Sequence, residues 1–247
     1  MAYIDVFDDD LTLSSPSLVE GMPGAGLVGK IATDHLVDVF EMDHVANVHC
    51  DSLPPVALYS DENPNLKTPV RLFADAERDL LALRSDVPVS TGAAVEFSDC
   101  LSTFYDDWDV TPLYISGLPA EKDDASPTLH GVASGEGAAL LADAGIDVPA
   151  ETGLISGPTG ALLSDAVERG VTAVGLIVET DPQFPDPEAA QVLIRDGIEP
   201  LTGLSVPTDE LVERAEEIRD AKERLARRLH EAEMEESTQA QPLRMYH

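Results

Sequence analysis

Residues Leu18–Leu36 read LVEGMPGAGLVGKIATDHL, and this stretch decides the fold class. Ser17–Glu20 is a short apolar segment that stops at Gly21 and enters a Gly/Pro turn. From Gly24 to Phe40 the apolar residues Leu27, Ile31, Leu36 and Val39 return at roughly helical spacing. A buried strand, a tight turn and a helix make the first part of a strand-helix-strand unit. Val45–His49 reads as the next strand, ended by Pro54-Pro55.

The same rhythm continues outward. Val56–Tyr59 and Val70–Phe73 read as hairpin partners around the turn-rich Asp61–Pro69, and Asp79–Arg84 as a further strand. Thr91–Asp107 reads as a helix, Leu113–Ile115 and Leu129–Ala133 as strands, and Gly135–Ala144 as a small helix. Gly153–Ile155 then reads as a strand and Thr159–Glu168 as a helix closed by Gly170. Val171–Val178 is the most apolar strand, and its lack of alternation implies burial on both faces. Pro187–Leu201 is a helix. The expected architecture is α/β, a single three-layer-like domain over residues 1–206 around a mostly parallel sheet, with the hairpin-rich stretch 55–85 implying that part of the sheet is antiparallel.

The last forty or so residues differ in pattern. Pro207-Thr208 opens a helix over 207–234, with Thr208 as N-cap. Leu211, Ala215, Ile218, Leu225 and Leu229, with Lys222 interrupting, follow the spacing of an a/d seam. Such a seam serves either as packing on its own domain or as an oligomerisation contact. Residues 235–247 have no periodicity and read as a flexible tail.

The chain of 247 residues carries 47 acidic and 15 basic side chains, a net charge of −32. Such a surface repels phosphate backbones and anionic headgroups, so the expected partners include no nucleic acid and no membrane. Yet 43% of the residues are hydrophobic, too many for a solvated acidic coil. A folded core inside an anionic shell short of Lys suits a halophilic protein, in a cytoplasm whose salt screens self-repulsion. No apolar run approaches a membrane span, and the start, MAYIDVFDDDL, lacks the pattern of a secretory leader. Cys50 and Cys100 form no CxxC and are expected to be free and partly buried. The expectation is a cytoplasmic protein with no cofactor and no metal.

The glycine turn imitates two nucleotide motifs. Gly24, Gly26 and Gly29 form GxGxxG, and Gly24–Lys30 fits GxxxxGK. Ile31 stands where a P-loop needs Ser or Thr for magnesium, and Asp43 lies before its strand rather than at its end. A second loop, Ser156-Gly157-Pro158-Thr159-Gly160, echoes the first. Gly21, Gly24, Gly26, Gly29, Lys30, Gly157 and Gly160 are therefore the candidate ligand loop. The competing reading is that these glycines let helix and strand approach closely. No catalytic residues are identified: there is no HExxH, no GxSxG, and Glu20, Glu96 and Glu179 read as solvated acids.

Several segments in order resemble the proteasome assembly chaperone family, in its archaeal branch. They are LVEGMPGAGLVGKIATDHL (Leu18–Leu36), SLPP (Ser52–Pro55), LYISGLP (Leu113–Pro119) and LISGPTGALL (Leu154–Leu163). GLIVETDPQFPDPEAAQVLI (Gly175–Ile194) and GLSVPTDEL (Gly203–Leu211) complete the series. The resemblance implies a nucleoside-phosphorylase-like α/β fold, homo-oligomers, and a non-enzymatic, ATP-independent chaperone or activator of the 20S proteasome. It also implies that Met245, Tyr246 and His247, a hydrophobic-Tyr-any tripeptide, dock on the proteasome α subunits. A terminal carboxylate suits a cationic pocket, and the Tyr ring is amphipathic. The alternative is a nucleotide- or nucleoside-binding enzyme, ATP-dependent ligase-like, that uses the loops at 21–30 and 156–160.

Overall fold

The computed structural model describes residues 3–7, 11–51, 53–59, 64–90, 94–120 and 126–213. Its strands are β1 (Tyr3–Val6), β2 (Ser17–Gly21), β3 (Asp43–His49), β4 (Val70–Asp75), β5 (Leu80–Ser85), β6 (Thr111–Pro119), β7 (Leu129–Ser134) and β8 (Ala173–Thr180). Its helices are α1 (Val28–Val39), α2 (Ala94–Trp108), α3 (Gly137–Asp143), α4 (Gly157–Arg169), α5 (Pro187–Val192) and α6 (Glu199–Thr202). A single 3₁₀ turn, Ala25–Leu27, leads into α1, and a π-helical segment, Leu193–Ile198, joins α5 to α6.

The strands form one sheet in the order β1-β3-β4-β5-β2-β6-β8-β7. The parallel pairings are central: β5 with β2, β2 with β6, and β6 with β8. Antiparallel pairs flank them, β1-β3-β4-β5 on one side and β8-β7 on the other. The sheet is thus mixed, and the expectation of a mostly parallel one is corrected. Of the antiparallel pairs, β4-β5 is joined by a short turn over 76–79, which forces that pairing, whereas β1-β3, β3-β4 and β7-β8 are brought together by longer connections.

Alternating side chains send two cores to opposite faces. Val19, Leu80, Ala82, Leu113, Ile115 and Val174 meet α1, α3 and α5. Leu18, Leu81, Leu83, Tyr114 and Ala173 meet α2 and α4. This is a helix-sheet-helix sandwich, and it explains why β2, β5 and β8 read as continuous apolar runs.

Four local expectations differ. Val70–Asp75 pairs with Leu80–Ser85, not with Val56–Tyr59, which contributes only the bridge Leu58 to Lys67. The reason is Asp75: its Oδ1 accepts from the backbone N–H of Glu77 and of Arg78, both at 3.0 Å, so the reversal falls directly after β4. Gly153–Ile155 is a loop rather than a strand. The helix drawn from Gly24 becomes α-helical only at Val28, because Gly26 and Leu27 both adopt positive φ. Pro187–Leu201 is helical, but its middle is a π turn in which Gly197 packs against Leu129 and Leu176.

Candidate functional site

The two glycine turns meet, and they meet at Glu20. This residue ends the apolar part of β2, one position before Gly21, and is 1% exposed. Its carboxylate accepts from the backbone N–H of Met22 at 3.3 Å and from that of Ile115 on β6 at 3.1 Å. The Thr159 hydroxyl, in the first turn of α4, lies 3.3 Å from Oε1 and 3.1 Å from Oε2. The same hydroxyl is 3.3 Å from the Ile115 carbonyl.

Burial pushes the Glu20 carboxyl from the ordinary 4.5 up to about 7, against the pull of the Ile115, Thr159 and Met22 hydrogen bonds. The geometry accommodates both protonation states. Ionised, the carboxylate accepts from three donors. Protonated, it donates to the Thr159 oxygen, and the Thr159 hydroxyl turns to the Ile115 carbonyl. Beside it, burial raises the phenols of Tyr114 and Tyr105 well above their usual range. Reading Glu20 as a solvated acid is corrected: it is a buried junction between β2, β6 and α4. One signal marks it, a lone carboxylate inside an apolar strand immediately before the turn glycine.

The first glycine turn is packed down on the strand ends. A Cβ on Gly26 would lie 1.9 Å from the Thr180 hydroxyl, and one on Gly117 would lie 2.6 Å from the Ala25 carbonyl. The Gly26 carbonyl accepts from the Asp186 N–H at 2.8 Å. The Asp186 carboxylate in turn accepts from the Thr180 hydroxyl, the Asp181 N–H and the Ala189 N–H at 3.0, 3.0 and 3.1 Å, capping α5. Gly21 faces Thr33, and Gly29 faces the Glu20 carbonyl and Ile115. Lys30 points into ion pairs with Asp34 and Asp86, each at 2.9 Å.

In the second turn, Gly157 has φ +71° with open space around its Cα, and Gly160 lies against the Ile155 carbonyl. Gly24 also faces open space. The structure therefore gives Gly21, Gly26 and Gly29 the close-approach role, while the turn geometry brings Gly157 and Gly160 to the same end of the sheet.

Leu211 is fully buried in this chain's own core, on the α1 side. Its segment is held there by His35, whose Nε2 donates to the Pro207 carbonyl at 2.6 Å, and by Gln191, which donates to the Thr208 hydroxyl at 3.2 Å. Ala215, Ile218, Leu225 and Leu229 lie outside the described residues, as do Met245, Tyr246 and His247. Cys50 and Cys100 are free and half-buried, and burial raises the Cys100 thiol to about 11. Cys50, Leu53, Pro54, Pro55 and Thr68 line a shallow depression of about 520 Å³ beside the end of β3, away from both glycine turns. Among the described residues no group of three or more His, Cys, Asp or Glu is placed to hold a metal ion. Among them, too, no helix is long and apolar enough to cross a membrane.

Comparison with known proteins fits this architecture. An uncharacterized protein of Methanocaldococcus jannaschii, MJ0106, is 27% identical over 220 residues, covering 87% of each chain. The crystal structure of Pyrococcus furiosus PbaA, an archaeal homolog of proteasome-assembly chaperone, superposes with a TM-score of 0.79 at 22% identity, covering 96% of each chain. That of P. furiosus PbaB, an archaeal proteasome activator, gives 0.78 at 21% identity, covering 91% of this chain and 98% of that one. The sequence model of the PAC2 family matches residues 18–226, which take in both glycine turns, Glu20, Thr159 and Asp186. The chain belongs to the PAC2 family.

Proposed function

We propose that this protein is a non-enzymatic, homo-oligomeric proteasome assembly chaperone or ATP-independent activator of a halophilic archaeal cytoplasm. It docks on the 20S proteasome α-ring through Met245, Tyr246 and His247. The observation that carries the reading is the likeness to PbaA over nearly the whole length of both chains, joined to this closing tripeptide. The core geometry supports it. In the two turns Gly21, Gly26, Gly29 and Gly160 stand in close contact with their neighbours, and Thr159 joins the second turn to the buried Glu20 carboxyl of the first. In this reading the stretch 207–234 is the oligomerisation element, rooted in the domain at Leu211 and continued by Ala215, Ile218, Leu225 and Leu229. Residues 235–247 form the docking tail, and several tails on one symmetric body add avidity.

The test is deletion of Met245–His247 followed by co-sedimentation with 20S particles at high salt. Binding is expected to disappear while the oligomer persists. Undiminished binding overturns the tail mechanism. Calorimetry with ATP, ADP and nucleosides, with and without magnesium, tests the nucleotide-enzyme alternative; saturable heat would favour it over the chaperone reading.

A further inference from the structure

The chain has two cysteines, Cys50 and Cys100, and the fold turns both toward one corner of the α2-side core. On β3, Val48 belongs to that core, and Ile4 and Val6 of the adjoining β1 pack against it. Cys50 follows Val48 by two positions, one past the His49–Tyr3 pair, so strand alternation brings it to the face of Val48. His49, between them, points the other way and stacks on Tyr3. The Leu53 N–H then donates to the Cys50 carbonyl at 3.0 Å, closing a turn that lays Leu53 against the same core.

Cys100 comes to this corner on α2. Phe97, Leu101 and Phe104 point from that helix into the core. Ser98 and Ser102 turn to α4, donating to the Ala161 carbonyl at 3.5 Å and to the Asp165 carboxylate. Cys100 stands two positions from each serine, so it lies on the opposite flank of α2, away from α4. Along its length α2 also packs on β1, the strand beside β3, and Cys100 packs against the core that holds Val48 and Leu53. The sulfurs are near enough to feel each other: burial, then the Cys50 sulfur, then Glu96 raise the Cys100 thiol to about 11. Cys50, for its part, lines the shallow depression formed with Leu53, Pro54, Pro55 and Thr68.

We propose that Cys50 and Cys100 are an intramolecular thiol pair that a peroxide converts to a disulfide, stapling the end of β3 to α2. Cys50, at the depression, meets the peroxide. Its sulfur attacks one oxygen, the O–O bond breaks, and Cys50 sulfenic acid and a water remain. The Cys100 sulfur then attacks the Cys50 sulfur. The S–S bond forms, the S–O bond breaks, and the departing hydroxide takes the Cys100 proton as water. Two thiols give up two electrons, and one peroxide becomes two waters. Burial sets the order, because a thiol that keeps its proton is the poorer first nucleophile and acts second. The bond joins positions 50 residues apart, so it restrains the unfolded chain strongly. In the folded chain it ties the β1-β3 edge and the Pro54-Pro55 loop to α2. This proposal stands independently of tail docking.

The experiment treats the full-length protein with an equal concentration of hydrogen peroxide in high salt and blocks remaining thiols with iodoacetamide. Mass spectrometry of unreduced peptides and a thermal melt follow. The expected result is one peptide pair joined through Cys50 and Cys100, lighter by two hydrogens than the reduced peptides, within a single chain. The melting midpoint should rise by about 5 °C or more over the reduced protein and fall back with dithiothreitol. Cys50→Ser and Cys100→Ser should each abolish the peroxide-induced rise. Because the bond is read in the wild-type chain, the result does not depend on either variant folding. Thiols that both stay free, a bond between two chains, or sulfinic acid at Cys50 with Cys100 unchanged overturns the proposal. So does a bond that leaves the midpoint where it was or lowers it.

Discussion

The Thr159 hydroxyl touches both carboxylate oxygens of Glu20, at 3.3 and 3.1 Å, and so ties together two glycine turns 139 residues apart in sequence. A single short side chain closes the α4 turn onto the β2 turn. Because the contact is buried, its loss leaves a carboxyl oxygen short of a donor rather than exposed to water.

Thr159→Val keeps the volume and removes that donor. It should lower the unfolding free energy by about 1–3 kcal/mol near neutral pH and move the Glu20 titration further upward. Thr159→Ser should restore most of both. Denaturant melts and a carboxyl NMR titration read the two effects, and equal stability in Val and wild type would show that the hydroxyl is not a working partner.

Glu20 gives stability a pH dependence of definite sign. Its folded value is raised, to about 7 from 4.5, so the native state holds its proton longer than the unfolded chain does. Its contribution is full below about 4.5 and is lost as pH rises through about 7. Glu20→Gln removes this slope. Measured at pH 5 and pH 8 in the same salt, the variant should gain on wild type by about 2.5 kcal/mol across the interval. A constant offset between the two proteins would refute the assignment.

Gly26 and Gly24 stand two apart in the GxGxxG pattern but in different surroundings. At Gly26, φ is +62° and an added Cβ would strike the Thr180 hydroxyl; at Gly24, φ is −141° and nothing lies within 4 Å. Gly26→Ala should cost about 2 kcal/mol or more, and Gly24→Ala no more than about 0.5 kcal/mol. Parallel urea melts of the two variants distinguish packing from ligand-cradling as the reason for these glycines.

Asp186 caps α5 while also holding Thr180 and the Asp181 backbone. Asp186→Ala should destabilise the fold by about 2–3 kcal/mol, and Asp186→Asn, which keeps one acceptor, by less. Hydrogen exchange should show the loss first at Asp181 and Ala189; protection left unchanged there would count against the cap.

Much of this was legible locally. Ser17–Glu20 as a strand, the helix that follows, and Val171–Val178 buried on both faces all match β2, α1 and β8 to within a few residues. The Pro187 start of α5 and the Gly170 end of α4 were marked by residues whose backbone preferences act alone. The misread hairpin shows the limit. Asp61–Pro69 has the composition of a turn, and Leu58 and Lys67 do bridge antiparallel across that stretch, yet the hairpin of Val70–Asp75 is made with Leu80–Ser85 through the turn at Asp75, whose side chain bonds its own neighbours' backbone.

Sequence by itself determined the acidic shell, the α/β class and the identity of the turns, because charge, periodicity and glycine placement are properties of neighbouring residues. Only the tertiary structure decided which strands adjoin, and with that the parallel centre and antiparallel flanks of the sheet. It also decided that one glutamate among the 47 acids is buried at the meeting of two turns. Pairing and burial join residues far apart in the chain, and the free energy of such contacts leaves no local pattern to read.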